Sequence, residues 1–351
     1  MKIPVLLLFV LLLSSAGFGQ AKPISQTEYV KMLYSLQKDP AGKADLVDAI
    51  RRRGIAFELT DGLRGLTRTK SNSDEELKRA LEEAERRRQN PEASKLPPAA
   101  EANALLEKAR SVNLEVVSEM PDFVVKQLIT RSEAFAGTGN WRPYDNLVIG
   151  VSYSTEKGEQ YKVLARNGAP VDSAQSNSYS GLDGATSGGE FVEDLKKIFD
   201  RESKTHFELL TTDLVRGRRT VVFNYQIELA NNKNGGVGLK GPNPQSTRAG
   251  EKGRIWIDRD NARVLRIEYE LTEIDPAFPV KAVTKSIDYD MVDIAGERYL
   301  LPIVSDFRGT VESFGKRFES RNVIRFRSYQ KYGTDIVIGA EDSEPVKNEN
   351  P

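Results

Sequence analysis

Alternation of apolar and polar residues with a period of two is the feature that most constrains the fold of this chain. It is clearest between Gly253 and Glu270, where two β-prone runs flank Asp260-Asn261, a pair that tolerates turn conformations. Leu265, Ile267 and Tyr269 fall on one predicted face of the second run, and Val264, Arg266, Glu268 and Glu270 fall on the other. Such one-sided alternation is typical of an antiparallel sheet. The segment is therefore predicted to be a β-hairpin.

The same period continues through most of residues 121–330 and predicts one strongly curved antiparallel sheet. Strands are expected at 123–135, 147–153, 160–166, 205–212, 220–229, 281–291, 299–307 and 318–329. Polar, glycine-rich loops are expected at 167–188 and 231–252, and the second is expected to be disordered. One helix, at about 188–200, interrupts the strands, because Ser187-Gly-Gly-Glu190 has the form of a capping box and an apolar stripe follows it. We expect this helix to bury its stripe against the sheet.

Residues 1–21 have the features of a secretory signal peptide. Lys2 provides a basic start, Ile3 to Leu13 an apolar core, and Gly19-Gln20-Ala21 a small-x-small cleavage pattern. The apolar core of about eleven residues is shorter than the roughly twenty that span a bilayer. We therefore expect cleavage near Ala21, a periplasmic or secreted protein, and no transmembrane segment in the mature chain.

The mature chain is predicted to contain two folded parts. A small all-α module at 22–90 has apolar residues at helical spacing, with Thr60 and Ser73 as capping residues of two of its helices. A proline-containing linker at 91–98 leads to a strand-rich domain with helices at 99–332, and a disordered tail is expected at 333–351. Two arginine triplets, at 51–53 and 86–88, are expected to face water at helix C-termini. A chain that begins near Ala99 is expected to keep an unchanged unfolding transition.

Composition argues against catalysis and against nucleic-acid binding. The chain has no cysteine and one histidine, His206, so a nucleophile with a positioned base has few candidates. The run from Gly236 to Gly241 matches G-x-G-x-x-G but lacks the preceding strand and following helix of a dinucleotide site. Lysine plus arginine and aspartate plus glutamate both number 51, which leaves no broad basic field. We expect no enzyme activity, no cofactor, no metal site and no nucleic-acid partner.

Apolar residues on one face of the predicted strands and helix form the candidate ligand-binding site. The site is predicted to consist of Leu147, Ile149, Val151, Tyr153, Phe223, Tyr225, Ile227, Phe191 and Leu195. A cavity and a filled core have the same sequence pattern, so the residues alone leave both alternatives open.

The run Ile255-Trp256-Ile257-Asp258, followed by Val264-Leu265-Arg266-Ile267-Glu268, resembles a hairpin motif of the LolA/LolB-type periplasmic lipoprotein carriers. The export signal, the antiparallel strands and the inserted helix add to this resemblance, which covers residues 99 to about 332. It implies an α+β fold in which a curved antiparallel sheet, an unclosed β-barrel, carries an inserted covering helix. It also implies that the apolar face of this half-barrel holds acyl chains.

The resemblance implies an exported, non-enzymatic binding protein for an apolar or lipid-like ligand in the cell envelope. The helical module at 22–90 and the loop at 231–252 depart from the compact carrier pattern. The alternative is an envelope sensor or protein-interaction protein, with a filled β-domain core and with residues 22–90 as the docking site for an envelope protein. The two hypotheses differ in whether the apolar face can hold a ligand.

Overall fold

A computed structural model describes residues 22–39, 42–171, 179–239 and 245–332 of the 351-residue chain. The expected signal peptide at 1–21 and the expected disordered tail at 333–351 lie outside the described residues. Six α-helices are described: α1 (Gln26–Ser35), α2 (Lys43–Arg53), α3 (Asp61–Lys70), α4 (Glu75–Gln89), α5 (Ala99–Ser118) and α6 (Glu193–Phe199). None of these helices has the length and apolar character that crossing a membrane requires.

The strands form one large antiparallel sheet and one small one. The strands are β1 (Phe123–Phe135), β2 (Arg142–Ser154), β3 (Gly158–Arg166), β4 (Ala169–Pro170), β5 (His206–Val215), β6 (Arg218–Ile227), β7 (Gly236–Leu239), β8 (Gln245–Arg248), β9 (Gly250–Asp258), β10 (Val264–Thr272), β11 (Val280–Ile294), β12 (Glu297–Ser313) and β13 (Lys316–Lys331). The 11-stranded sheet has the order β4-β3-β2-β1-β13-β12-β11-β10-β9-β6-β5, and β7 pairs only with β8. Because β4 and β5 are its two edges, the curved sheet is not closed into a barrel, and the predicted α+β class is confirmed.

The period-two pattern located the strands, but one loop was predicted wrongly. β1 has the predicted bounds, and each other predicted run overlaps a strand of the large sheet. The segment 231–252 was expected to be disordered, yet its described part contains β7, β8 and the start of β9. Val237 and Leu239 explain the difference, because they pack with Phe307 and Leu271 in a small apolar cluster at the end of the sheet.

Helix starts were predicted with mixed success. Thr60 caps α3 as expected, since its hydroxyl accepts from the Leu63 amide at 3.3 Å. Asp74 instead of Ser73 caps α4, because its carboxylate accepts from the Leu77 amide at 2.8 Å. The expected capping box at 187–190 is also wrong, because α6 begins only at Glu193. Ser187 and Glu190 bond to each other at 2.6 Å, and Glu190 is held by the sheet instead of by a helical turn.

The β9–β10 hairpin contains a β-bulge that the sequence pattern did not reveal. Val264 pairs with Ile257 and Arg266 with Trp256, so Leu265 is an extra residue in β10. Val264 therefore joins Ile267 in the core under α5 and α6, whereas Leu265 packs with Trp256 on the opposite side of the sheet. The predicted faces of these two residues are exchanged.

The sheet has an apolar face and a charged face. We call the side that packs against α5 and α6 the apolar face, since two buried clusters of aliphatic and aromatic residues lie there. We call the opposite side the charged face, since Arg254, Arg266, Glu268 and Asp213 lie there around Trp256.

Helices α1 to α4 have a core of their own and also contact the charged face. Tyr29, Leu33, Ile50 and Leu77 belong to one buried cluster made only of residues from 24–84. Contacts to the sheet come from α4 and α2. The division into a module at 22–90, a linker and a larger domain stays a prediction, and its boundary is bridged by the ion pairs described below.

Candidate functional site

All nine predicted site residues lie on the apolar face or on the chain that covers it, and all are at most 8% exposed. They fall into two buried clusters. Leu147, Ile149, Val151, Tyr153 and Phe191 belong to the first cluster, and Phe223, Tyr225, Ile227 and Leu195 belong to the second. The structure thus brings the predicted residues together as two neighbouring groups under one cover.

Side chains fill the first cluster. The ring of Phe123 lies 5.2 Å from that of Phe191 and 5.3 Å from that of Tyr153, and Phe191 makes an edge-to-face contact with Phe326 at 5.3 Å. Such ring pairs add about 0.5–1.5 kcal/mol each beyond the area they bury. Two surface clefts of about 510 and 250 Å³ lie elsewhere, and none of the nine residues lines them.

Helix α5 lies across both clusters. Ala102 and Ala109 are buried in the second cluster, and Val116 packs against both. Asn113 attaches the helix to the β9–β10 turn, since its amide nitrogen donates to the Ala262 carbonyl and its amide oxygen accepts from the Val264 amide, both at 3.0 Å. This two-way bond fixes the position of α5 on the sheet.

The segment before α6 and α6 itself are attached to the apolar face through a buried lysine. Lys285 Nζ lies 3.1 Å from Glu190 and 3.0 Å from Asp194, and it donates to the Gly188 carbonyl at 2.8 Å. Burial alone would lower the pKa of Lys285, but Asp194 and then Glu190 raise it above its usual range. The charged lysine is therefore stabilised by the two acidic groups that the cover supplies.

A second lysine extends this ion chain toward the edge of the sheet. Lys197 Nζ lies 2.9 Å from Asp194 and 2.6 Å from Glu251, whose other oxygen accepts from the Tyr225 hydroxyl at 2.7 Å. Burial raises the pKa of Glu251 although Lys197 opposes it. Glu190, Lys285, Asp194, Lys197 and Glu251 thus alternate in sign between the sheet and α6.

Glu159 on β3 lies beside the start of this chain. Burial, and then the nearby Glu190, raise the pKa of Glu159 to about 7. Its carboxylate bonds to the Tyr161 hydroxyl and accepts from the Gly189 amide at 3.1 Å. Glu159 therefore changes protonation near neutral pH at the edge of the covered face.

Sequence reasoning missed these polar residues, although a signal was present. Lys285 stands between Val283 and Ile287 on the buried side of β11. Glu251 lies on the same side of β9 as the buried Ile255 and Ile257. A charged residue at a buried position of a strand needs a partner of opposite sign. The partners Asp194 and Lys197 lie on the helix whose apolar stripe alone was noted.

The charged face is attached to α4 by a second set of ion pairs. Arg254 donates to Glu83 at 2.9 Å and to Glu268 at 2.5 Å, and Arg86 pairs with Asp213 at 2.9 Å. Burial alone would lower the pKa of Arg254, but Glu83 and then Glu268 raise it. The arginine triplet at 86–88 does not simply face water, since Arg86 reaches the sheet.

Trp256, the aromatic residue of the hairpin motif, belongs to this charged face. Its indole nitrogen donates to Asp213 at 3.1 Å, and the guanidinium groups of Arg254 and Arg266 lie 4.5 and 5.8 Å from its ring centre. Cation–π contacts of desolvated arginines stabilise such an arrangement by about 2 kcal/mol. The motif tryptophan is therefore placed to hold the charged face, on the side of the sheet away from the nine predicted site residues.

Neither family models nor curated protein sequences give a match to this chain. Within the part of the chain that the structure describes, no group of three His, Cys, Asp or Glu residues is arranged to hold a metal ion.

Solved structures give matches of low identity. A LolA superfamily protein, NE2245 from Nitrosomonas europaea, is 12% identical with a TM-score of 0.32, covering 66% of this chain and 94% of that one. A DUF1329 family protein from Desulfovibrio piger is 13% identical with a TM-score of 0.31, covering 66% and 95%. MucB in the Pseudomonas aeruginosa MucA/MucB complex is 10% identical with a TM-score of 0.18, covering 63% and 94%. TM-scores below 0.5 carry no argument, so these matches transfer no fold, residue role or ligand to this chain.

Proposed function

We propose that this chain is an exported, non-enzymatic binding protein of the cell envelope that takes an apolar or lipid-like ligand on its apolar face. The ligand enters when α6 and the residues before it move away from the sheet. The seven strand residues of the site would then contact the acyl chain from the sheet, and Phe191 and Leu195 would contact it from the displaced cover. This proposal includes export after cleavage near Ala21.

This proposal is based on how α6 is attached over the apolar face. The helix has only seven residues, and its ends are attached to the sheet through Lys285 and Glu251 as well as through apolar contacts. Buried ion pairs contribute little net stability, because the charges regain hydration when they separate. Moving such a cover therefore costs less than moving one of equal size held only by apolar contacts.

A ligand can replace the apolar contacts that the cover loses. Phe191, Leu195, Ile198 and Phe199 are fully buried under or within the cover. Their burial is worth roughly 1.5–3 kcal/mol each. An acyl chain gains about 0.8 kcal/mol for each methylene that it buries in their place. A chain of ordinary fatty-acid length therefore compensates for the displacement of the helix.

A second candidate function is protein interaction in the envelope. The ring centres of Phe135 and Phe318 lie 5.2 Å apart, with the rings tilted by 36°, and the two residues are 55% and 39% exposed. Phe314 in the β12–β13 turn is fully exposed. Exposed aromatic residues that lie close together favour contact with a partner. Under this alternative the apolar face is a permanently filled core that binds no lipid, and changing both Phe135 and Phe318 to serine abolishes partner binding.

Titration of the mature protein with a fluorescent fatty acid such as cis-parinaric acid tests the proposal. We expect saturable binding with one site per chain. Lys285→Met should bind the probe faster, because it leaves Glu190 and Asp194 buried without their cation in the closed state, and opening the cover returns them to water. Lys281→Met is the matched control, since Lys281 lies on the same strand, outside the ion chain, and donates to the Pro276 carbonyl at 2.8 Å.

The outcomes separate the two candidate functions. Saturable binding that Lys285→Met accelerates and Lys281→Met leaves unchanged supports the lipid-binding function. Absence of saturable binding, or equal binding rates in the two variants, contradicts it. In that case the nine residues are an ordinary core.

A further inference from the structure

A polar cleft lies on the charged face of the sheet, and its lining differs from that of the apolar face. Its volume is about 510 Å³, and it is formed where the turn between α3 and α4 meets the turn between β1 and β2. Lys70, Asn72, Trp141 and Arg308 are among its lining residues. The proposed lipid-binding function makes no use of this cleft.

The two turns that form the cleft are closely fitted to each other. Asn72 and Ser73 both have positive φ angles, of 52° and 58°, and the Ser73 amide donates to the Arg68 carbonyl at 2.8 Å. Gly139, with φ of +66°, approaches so closely that a Cβ atom there would lie 2.6 Å from the Asn72 carbonyl oxygen. A side chain at Gly139 would therefore push the two walls apart, so the shape of the cleft depends on this contact.

Arg308 brings a positive charge to the cleft without a full set of partners. Its Nε lies 3.7 Å from Asp306, but both oxygens of Asp306 already accept from Arg321, at 3.0 and 2.7 Å. The Arg308 Nη2 atom is buried and has no hydrogen-bond partner within the described residues. Burial lowers the pKa of Arg308 despite Asp306, and Arg321 and Arg79 lower it further. The guanidinium is therefore a cation whose charge its own neighbours do not balance.

Lys70 adds a second cation to the same cleft. Its amine donates to the Gln37 amide oxygen at 3.3 Å and lies 4.4 Å from the centre of the Tyr34 ring, and no carboxylate within the described ranges pairs with it. The cleft has a net positive charge, since three cations, Lys43, Lys70 and Arg308, line it together with two carboxylates, Asp74 and Glu319. Asp74 pairs with Lys43 at 2.9 Å and caps α4, and Glu319 accepts from the Gly137 amide at 3.4 Å.

Trp141 gives the cleft a flat apolar wall beside these charges. The Arg308 guanidinium carbon lies 5.6 Å from the centre of the Trp141 ring. An indole ring next to donors such as Arg308 and Lys70 suits a ligand that combines a negative group with a compact body. An unbalanced, partly desolvated arginine favours phosphate or carboxylate, since guanidinium donors match the geometry of these groups.

We propose that this cleft binds the oxyanion, a phosphate or a carboxylate, of a small polar ligand, with Arg308 and Lys70 as its cationic contacts and Trp141 as its wall. The oxyanion pairs with the guanidinium of Arg308, whose charge its own neighbours do not balance. The site is separate from the apolar face, so it operates whether or not that face binds lipid.

The two tryptophans of the chain permit a direct test in the full-length mature protein. With ¹⁵N-labelled tryptophan, the spectrum contains one indole N–H signal from Trp141 and one from Trp256, which is buried on the sheet and serves as the internal reference. The variant Trp141→Phe assigns the two signals. The protein is titrated with inorganic phosphate, glucose 6-phosphate, gluconate and glucose.

We expect saturable movement of the Trp141 signal with one or more of the three anions, none with glucose, and a fixed Trp256 signal. Response to both phosphates identifies a phosphate site, whereas response to gluconate identifies a carboxylate site. Arg308→Gln should weaken binding at least tenfold without lowering stability, because it removes a cation that is not balanced. Lys281→Gln, which changes a lysine outside the cleft, should bind as the parent does.

Three results would overturn the proposal. The first is a Trp141 signal that none of the anions moves in a saturable way. The second is an equal response to glucose and to glucose 6-phosphate. The third is an Arg308→Gln variant that binds the anion as tightly as the parent or that unfolds at a lower denaturant concentration, since Arg308 would then be a structural residue.

Discussion

The apolar face and the charged face belong to the same strands, yet they are covered in different ways. On the charged face, α4 has fifteen residues, and its Glu83 bonds directly to Arg254 of the sheet. On the apolar face, α6 has seven residues and is attached by a chain of ions that passes through Lys285. Helix α4 also packs into a hydrophobic core that α1 to α4 form among themselves, whereas α6 packs only into the core of the sheet. Segments with few supporting contacts open at lower free energy, so α6 is the cover that we expect to move.

The largest expected effect comes from removing the cover of the charged face entirely. A mature chain that begins at Ala99 lacks Glu83, Arg79 and Arg86, the helical partners of Arg254, Glu268 and Asp213 respectively. The sequence alone predicts an unchanged unfolding transition for this chain. We expect the free energy of unfolding to fall by several kcal/mol, because Val222, Trp256 and Leu265 on the charged face lose their covering helices and each buried side chain of this size is worth about 1.5–3 kcal/mol. Urea denaturation of both chains decides between the two expectations.

A single substitution tests the centre of the charged face. Arg254→Met leaves Glu83 and Glu268 buried without their partner and should lower the free energy of unfolding by about 3–5 kcal/mol. Arg219→Met, which breaks an exposed pair with Asp260, should cost at most about 1 kcal/mol. Changing Glu83, Arg254 and Glu268 together to methionine should recover most of the loss. A triple variant as unstable as the single one would show that the charges themselves stabilise the interface.

On the apolar face the corresponding test concerns Leu195, a fully buried residue of α6 itself. Leu195→Ala should lower the free energy of unfolding by about 2–5 kcal/mol, because it removes buried methyl groups and leaves a cavity. Lys196→Ala, at the neighbouring exposed position of the same helix, is the control. Equal unfolding midpoints for the two variants would mean that α6 does not bury its apolar stripe.

The smallest of these effects is pH dependence at the edge of the apolar face. The pKa of Glu159 is raised from 4.5 to about 7 in the folded protein, by burial and then by Glu190. A raised folded pKa stabilises the fold below pH 4.5, and this contribution is lost as pH rises through 7. The shift corresponds to about 3 kcal/mol over this window. Glu159→Gln should therefore be more stable than the parent at pH 8 and show a weaker pH dependence between 4.5 and 7, measured by urea denaturation.

A variant with an unchanged pH profile would contradict this assignment. Tyr161→Phe provides a further comparison, since it removes the hydroxyl that bonds to Glu159 but keeps the ring.

Elements in which the spacing of apolar residues shows the buried side could be predicted from the sequence. β1 was expected at its observed bounds, and all nine apolar site residues are buried as their strand or helix spacing implied. Apolar spacing gave wrong predictions where the backbone is not a regular strand or helix. The bulge at Leu265 exchanges the two faces locally, and the bond between Ser187 and Glu190 prevents the expected start of α6.

Charged residues were harder to place, because a solvated charge and a buried ion pair use the same amino acids. Arg86 ends a helix and was expected to face water, but the sheet supplies Asp213 as its partner. The alternation of Arg266 and Glu268 suggested a solvated face, although α4 covers it. Pairing between residues so distant in the chain depends on the tertiary fold, which local pattern does not encode. For the same reason, the cleft around Arg308 could not be foreseen.

Hydrogen exchange of α6 and α4, with and without a saturating fatty acid, tests most directly the claim that the two covers differ. If the ligand takes the place of α6, amide exchange at 193–199 becomes faster when the fatty acid is bound, while exchange at 75–89 in α4 is unchanged. The strands beneath α6 should become better protected in the same sample. Slower or unchanged exchange in α6 at saturating ligand would contradict the account, since the helix would then be a permanent part of the core.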